Sequence, residues 1–142
     1  MKALFESARP YLAILPILCF VAGVINASNG LIQFMPLALG SLVFLAIYSA
    51  NCVIDDIYDA DIDQELFPGR PIPSGRLSKR AAKFYASLLY MFAIPIAFLI
   101  NLFLGVLTIS YAILGVAFSY PKFRNATARH FIYSLFTLSL PY

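Results

Sequence analysis

Two long segments without a charged residue constrain the fold more than any other feature of the sequence. Lys, Arg, Asp and Glu are absent from Tyr11 through Ile54 and from Phe84 through Pro121, runs of 44 and 38 residues. One bilayer crossing needs about 20 apolar residues, so each run is long enough for two helices. A soluble helical domain would show polar positions at a helical period, and these runs show none. The two runs therefore indicate an integral membrane protein.

Turn signals divide each run into two helices. Residues 26–30 read Asn-Ala-Ser-Asn-Gly, which favours a turn, and Asn101 marks a second hairpin. The apolar stretch Phe131–Tyr142 is too short to span a bilayer. We therefore predict an all-α, multi-pass transmembrane helix bundle, a single domain over residues 1–142 with about four full helices and the start of a fifth. The four predicted helices are Tyr11–Ile25, Leu31–Ile54, Phe84–Ile100 and Leu102–Tyr120.

The charged residues fall on one side of this bundle. The ten basic residues precede the first helix, lie between the second and third, or follow the fourth, and the seven acidic residues share that side. The positive-inside rule then puts the N-terminus and the Asp-rich segment in the cytoplasm. Membrane lipids are the expected surroundings, and no nucleic-acid partner is expected.

The segment after the second predicted helix carries a run of carboxylates. If the helix continues, the carboxylates within an arc of about 100° are those of Asp55, Asp56, Asp59 and Asp63. Asn51 lies beside that arc, and Asp61 points the other way. Crowded carboxylates at a membrane boundary repel each other and lose solvation, so they need compensation. Carboxylate oxygens suit Mg²⁺, which readily shares its coordination with phosphate.

Basic residues follow the carboxylates. Arg70 and Arg76, with Lys79 and Arg80, offer cations suited to phosphate oxygens. Together with the apolar helices, they indicate a site for a diphosphate attached to a lipid tail. The alternatives are a solvated acidic loop and basic residues that act only as topology anchors. A calcium loop starting at Asp59 is excluded because Gln64 and Arg70 replace its required Gly and Glu.

The same residues resemble a known family. Asp55-Asp56-Ile-Tyr-Asp59-Ala-Asp-Ile-Asp63 and Arg70-Pro-Ile-Pro-Ser-Gly-Arg76 are similar to the first aspartate-rich motif and following loop of the UbiA family of intramembrane prenyltransferases. Asn51 and Arg9-Pro10 also fit the family pattern, and Tyr120-Pro-Lys122-Phe-Arg124 resembles the family's Tyr-x-x-x-Lys, with Arg in the last place. The resemblance runs from Arg9 to Arg124, nearly the whole chain.

The resemblance implies a Mg²⁺-dependent prenyltransferase that uses a polyprenyl diphosphate and a prenyl acceptor, either an aromatic ring or a hydroxyl. The implied catalytic residues, which would hold Mg²⁺ on the diphosphate, are Asp56, Asp59 and Asp63. Asp55 would add a metal ligand where the family usually has Asn, so tighter metal binding and an altered site are both open. The implied substrate-binding residues are Asn51, Arg70, Arg76, Tyr120, Lys122 and Arg124.

The chain departs from the family pattern in its second half. Family members carry a second aspartate-rich motif, whereas no Asp or Glu follows Glu65 here. The resemblance therefore implies the N-terminal half of the enzyme, inactive alone unless a second half-chain or a second copy completes the site. The alternative function is a non-catalytic membrane protein that binds lipid diphosphates or serves as an assembly subunit.

Overall fold

The computed structural model describes residues 1–28 and 33–120 of the chain. These residues form α-helices and connecting turns, with no strand among them. A short 3-10 helix, Pro10–Ala13, links the first two helices. The six α-helices are α1 Lys2–Ala8, α2 Ile14–Ala27, α3 Phe34–Tyr58, α4 Ala60–Leu66, α5 Lys79–Ile100 and α6 Leu102–Ser119.

Within the described residues, four helical segments are long and apolar enough to cross a membrane. Large apolar side chains such as Leu15 and Leu99 are exposed on their outer surfaces, which suits contact with lipid. The predicted class, an all-α bundle of membrane-spanning helices, is confirmed; the predicted fifth stretch lies outside the described residues. The four segments are Lys2–Asn26, Phe34–Tyr58, Lys79–Ile100 and Leu102–Ser119.

Helix α3 lies at the centre of the bundle. It contacts α1, α2, α5 and α6, and its most extensive contact is with α5. The α5 face that packs inward is lined by alanines, and Ala86, Ala93 and Ala97 are fully buried. Small side chains allow two helix backbones to approach closely. In a lipid bilayer the hydrophobic effect does not drive helices together, so close packing at small residues contributes to their association.

The helix continues almost unbroken from α3 into α4. Asp59 lies at the junction, where its N–H donates to the Asp55 carbonyl and its own carbonyl accepts from the Asp63 N–H, both at 2.8 Å. The continuation expected from the sequence is therefore present, and it carries the acidic residues beyond the apolar part of α3.

Asn101 forms the turn between α5 and α6, as predicted. Its side chain accepts a hydrogen bond from the Leu104 N–H at 2.7 Å, which caps the start of α6. Ser78 caps the start of α5 in the same way, accepting from the Ala81 N–H at 3.1 Å. The other predicted turn is described only as far as Ser28, just after α2 ends at Ala27.

Gly115 on α6 allows α6 to approach α3. A Cβ atom added there would overlap the side-chain amide of Asn51, which the Tyr90 hydroxyl holds by a hydrogen bond of 2.6 Å.

We expect Gly115→Ala to lower the free energy of unfolding by about 1–3 kcal/mol, because this contact has no room to relax. Thermal unfolding of the purified chain in detergent measures the effect. Gly69→Ala is the matched control, since a Cβ there meets no atom within 4 Å, and equal losses for both variants would contradict this packing.

Candidate active site

Asp56 is buried at the end of α3 and binds groups from two other parts of the chain. Its carboxylate is 3% exposed. The Ser7 hydroxyl donates to Asp56 Oδ2 at 2.8 Å, and the Arg9 guanidinium pairs with Oδ1. Arg70 Nη1 lies 4.0 Å from the same Oδ1. The buried negative charge is thus compensated by one hydroxyl and two guanidinium groups.

Arg9 has an uncommon backbone conformation. Its φ of 44° and ψ of 49° lie in the left-handed region, and its N–H caps α1 by donating to the Phe5 carbonyl. This conformation costs a residue other than glycine about 1–2 kcal/mol. It turns the chain between α1 and the 3-10 helix, so that Ser7 before the turn and Arg9 at the turn both reach Asp56.

Arg70 joins Asp56 to Asp63. Asp63 lies on α4, is 3% exposed, and accepts from Arg70 Nη1 at 2.6 Å. The Arg70 guanidinium also lies over the Phe67 ring, 4.5 Å from its centroid. One guanidinium therefore lies between two buried carboxylates that are two helical turns apart.

The loop that carries Arg70 is anchored on both sides. Ile72 and Leu77 are buried against Val53 and Ile57 of α3, and the Leu77 N–H donates to the Pro71 carbonyl. The loop turns sharply at Gly75, whose φ of 75° favours glycine. These contacts place Arg70 facing the end of α3.

Arg76 and Asp61, in contrast, lie at the surface. Arg76 makes two hydrogen bonds to the Glu6 carboxylate, at 2.8 and 2.9 Å, and these bonds raise the pKa of its guanidinium. Arg76 therefore ties the loop to α1. Asp61 pairs with Lys79 at 3.2 Å, away from Asp56 and Asp63, as the helical spacing predicts.

Asp55 and Tyr120 lie where α3 meets the end of α6. Asp55 Oδ1 accepts from the Ser119 hydroxyl at 2.5 Å. The Tyr120 ring packs edge-on against Tyr58, with the ring centroids 5.7 Å apart. The other two residues of that predicted motif, Lys122 and Arg124, lie outside the described residues.

Asn51 lies inside the bundle, one helical turn before Asp55. It is 4% exposed, its Oδ1 accepts from Tyr90, and its amide packs on Gly115. Among the described residues, its Nδ2 is the buried side-chain nitrogen that has no hydrogen-bond partner. The Asn51 side chain therefore projects from α3 towards Tyr90 of α5 and Gly115 of α6, and its predicted contact with substrate stays a prediction.

The four carboxylates expected to hold a metal do not converge in the described residues. No group of three or more His, Cys, Asp or Glu side chains there is arranged around a common point. Successive residues turn by about 100° around a helix, which directs Asp55 towards α6 while Asp56 faces α1. The placement of a metal on all four residues stays a prediction.

Asp56 and Asp63 offer oxygen ligands of the kind that a magnesium site uses. Both carboxylates are buried and both face one cationic group, Arg70. Carboxylate oxygens are the ligands that Mg²⁺ prefers, and the ion keeps several waters or shares phosphate oxygens with its substrate. The residues that would hold it are Asp56 and Asp63, with the half-buried Asp59 between them along the chain.

Sequence reasoning missed three residues around this site. Ser7 and Glu6 contact groups 49 and 70 residues away, and nothing in their local sequence indicates those contacts. Ser119 contacts Asp55 across 64 residues. Arg9 was recognisable only as half of the Arg-Pro pair.

The chain belongs to the UbiA prenyltransferase family, whose profile matches residues 15–142. Among its relatives is a digeranylgeranylglyceryl phosphate synthase of Methanosphaera stadtmanae, 36% identical over 79% of this chain and 43% of the relative. The enzyme of the same name from Pyrococcus abyssi is 34% identical over 84% of this chain and 42% of the relative. The chain thus spans less than half the length of the curated relatives it matches.

One solved structure shares the fold of this chain. It is described as that of a digeranylgeranylglyceryl phosphate synthase in membranes, and it superposes with a TM-score of 0.91. The match covers 98% of this chain and 50% of the other, at 24% identity. The arrangement of helices is therefore that of this solved fold.

Removing Arg70 should destabilise the fold more than removing Lys79. Arg70→Gln leaves the buried Asp63 without its cation, which costs about 1–3 kcal/mol, whereas Lys79→Gln removes an exposed ion pair with Asp61, with little net effect. Thermal unfolding in detergent measures both. The double variant Arg70→Gln/Asp63→Asn should recover part of the loss, because the unpaired charge is gone. A double variant no more stable than Arg70→Gln would contradict the pairing.

Proposed function

We propose that this chain provides the first aspartate-rich site of an enzyme that transfers an isoprenoid chain from an allylic diphosphate to an acceptor hydroxyl at a membrane surface. Family membership supports the reaction class. The four membrane-spanning segments support a substrate with a lipid tail. The chain's share of its relatives' length supports a site that a further segment, a second half-chain or a second copy completes.

The observation that carries this proposal is the position of Arg70 between Asp56 and Asp63. A guanidinium donates to phosphate oxygens in a fork, and carboxylates hold the divalent cation that phosphate also binds. In a bound diphosphate with its cation, the phosphate oxygens would therefore pair with the Arg70 guanidinium, and the cation would pair with the carboxylates. This place adjoins the apolar helices, where the isoprenoid chain would lie.

The proposed reaction breaks the allylic C–O bond. The diphosphate leaves with the electron pair of that bond, the acceptor hydroxyl oxygen bonds to the remaining allylic cation, and the hydroxyl proton passes to the leaving diphosphate. Arg70 would stabilise the developing charge on the leaving diphosphate, and Tyr120, Lys122 and Arg124 are proposed to contact it as well. A bound Mg²⁺ would supply Lewis-acid stabilisation of the same oxygens.

The names of the relatives favour a hydroxyl over an aromatic ring as the acceptor. Both relatives above are named digeranylgeranylglyceryl phosphate synthases. The product in that name carries two geranylgeranyl groups on a glyceryl phosphate, so its formation ends with transfer to a glyceryl hydroxyl. We propose the same acceptor class and geranylgeranyl diphosphate as the donor for this chain.

The site is proposed to face the cytoplasm. Three ion pairs lie at one end of the bundle: Glu6 with Arg76, Asp63 with Arg70, and Asp61 with Lys79. The excess of Lys and Arg at this end supports a cytoplasmic location under the positive-inside rule. The N-terminus and the Asp-rich segment would share that side, as the sequence predicted.

The test is consumption of labelled geranylgeranyl diphosphate by membranes that contain this chain, with and without Mg²⁺. A parallel sample adds the part of the Methanosphaera relative that the chain does not match. We expect Mg²⁺-dependent turnover in at least the supplemented sample, reduced by a factor of about 100 or more in Asp59→Asn, since the charge stabilisation of the leaving group depends on it.

Asp61→Asn is the matched control for that test. It removes a carboxylate from the same segment, but one whose side chain is 90% exposed and paired with Lys79. Its turnover should equal that of the unmodified chain. Equal losses of turnover in both variants would mean that the segment acts only as an acidic surface and holds no specific metal site. No turnover in either sample, while a full-length relative is active, would count against a catalytic role.

A further inference from the structure

We propose that Ser7 is a positioning residue for the reaction above, through its hydrogen bond to Asp56. It would fix the Asp56 carboxylate so that Oδ2 is held by α1 and Oδ1 faces the cation site. This inference rests on the proposed function and goes beyond it, because neither the family pattern of aspartates nor the basic loop includes Ser7.

The hydrogen bond is buried at both ends. Ser7 is 0% exposed and Asp56 is 3% exposed, and their oxygens are 2.8 Å apart. A carboxylate can rotate about its bond to Cβ, and a hydroxyl donating to one oxygen limits that rotation. Groups that hold a metal ligand in this way typically change metal affinity by a factor of about 10–100 when they are removed.

The two oxygens of Asp56 have different partners. Oδ2 accepts from the Ser7 hydroxyl, while Oδ1 faces Arg9 and Arg70. Oδ1 is therefore the oxygen that faces positive charge, and a divalent cation bound there would compete with Arg9 and Arg70. In the proposed complex the diphosphate would offer both guanidinium groups anionic oxygens in place of Oδ1.

The structure holds α1 in place for this role. A seven-residue helix is too short to be stable alone in water, so its position depends on tertiary contacts. Ala8 is buried against Val53 and Ile57 of α3, and Glu6 binds Arg76 of the loop. Ser7 lies between these two contacts along the chain, and they direct its hydroxyl towards Asp56.

The test measures divalent-cation binding without turnover. Free Mn²⁺ is followed by electron paramagnetic resonance while the chain, in lipid nanodiscs, binds a non-hydrolysable geranylgeranyl diphosphate analogue. Samples with the matching part of the relative added are run in parallel. We expect Ser7→Ala to weaken Mn²⁺ binding by a factor of about 10–100. Affinity for the analogue without metal should stay unchanged, and Ser7→Thr, which keeps the hydroxyl, should restore much of the Mn²⁺ binding.

Ser41→Ala is the control, because Ser41 donates to the Leu37 carbonyl within α3, away from the charged end. Its Mn²⁺ affinity should match that of the unmodified chain. A Ser7→Ala variant that loses thermal stability but keeps full Mn²⁺ affinity would overturn the proposal and leave Ser7 as a packing contact. If the unmodified chain binds no Mn²⁺ with the analogue in either sample, the proposed function fails, and the role of Ser7 fails with it.

Discussion

The buried charge of Asp56 is the constraint on which the rest of the charged region depends. Removing a carboxylate from water is costly unless it is paired and hydrogen-bonded. Here the compensation comes from Ser7 at the end of α1, from Arg9 just after it, and from Arg70 in the loop after α4. One side chain thus joins the N-terminal helix, the central helix and the loop. The left-handed backbone at Arg9 is sustained by these same contacts.

The membrane explains why this charge lies where it does. Charged side chains are unfavourable in contact with lipid, so they are absent from the long apolar runs and lie beyond the apolar part of α3 instead. The small residues of α5 allow that helix to pack closely on α3, and Gly115 allows α6 to do the same. Close packing fixes the direction in which α3 ends, and therefore where Asp56 and Asp63 lie. The bundle thus supplies a rigid apolar support for a polar site at its edge.

Local physical rules made much of the fold predictable from the sequence. The charge-free runs gave four crossings, and Asn101 gave the α5–α6 turn because its side chain can cap a helix. The helical repeat gave the continuation to α4 and the separation of Asp61 from Asp63. Each of these depends on residues close together in the chain, where periodicity and turn chemistry apply.

The partners of the site residues could not be predicted in the same way. Ser7 and Ser119 reach their carboxylates across 49 and 64 residues, and only the packing of the helices brings them together. Packing also sets Asn51 against Gly115 and directs Asp55 towards Ser119, both on α6. A helical arc places carboxylates on one side of a single helix, but it does not show which of them the neighbouring helices contact, so the shared metal site of all four stays a prediction.

The central claim is that a divalent cation and a diphosphate bind together at the end of α3. Phosphorus-31 relaxation of the non-hydrolysable geranylgeranyl diphosphate analogue, bound to the chain in nanodiscs with Mn²⁺, tests it directly, with the supplemented sample beside it. The account predicts strong paramagnetic broadening of both phosphorus signals, lost in Asp56→Asn and retained in Asp61→Asn. Broadening that is absent from both samples while a full-length relative shows it, or that survives Asp56→Asn unchanged, would contradict the account.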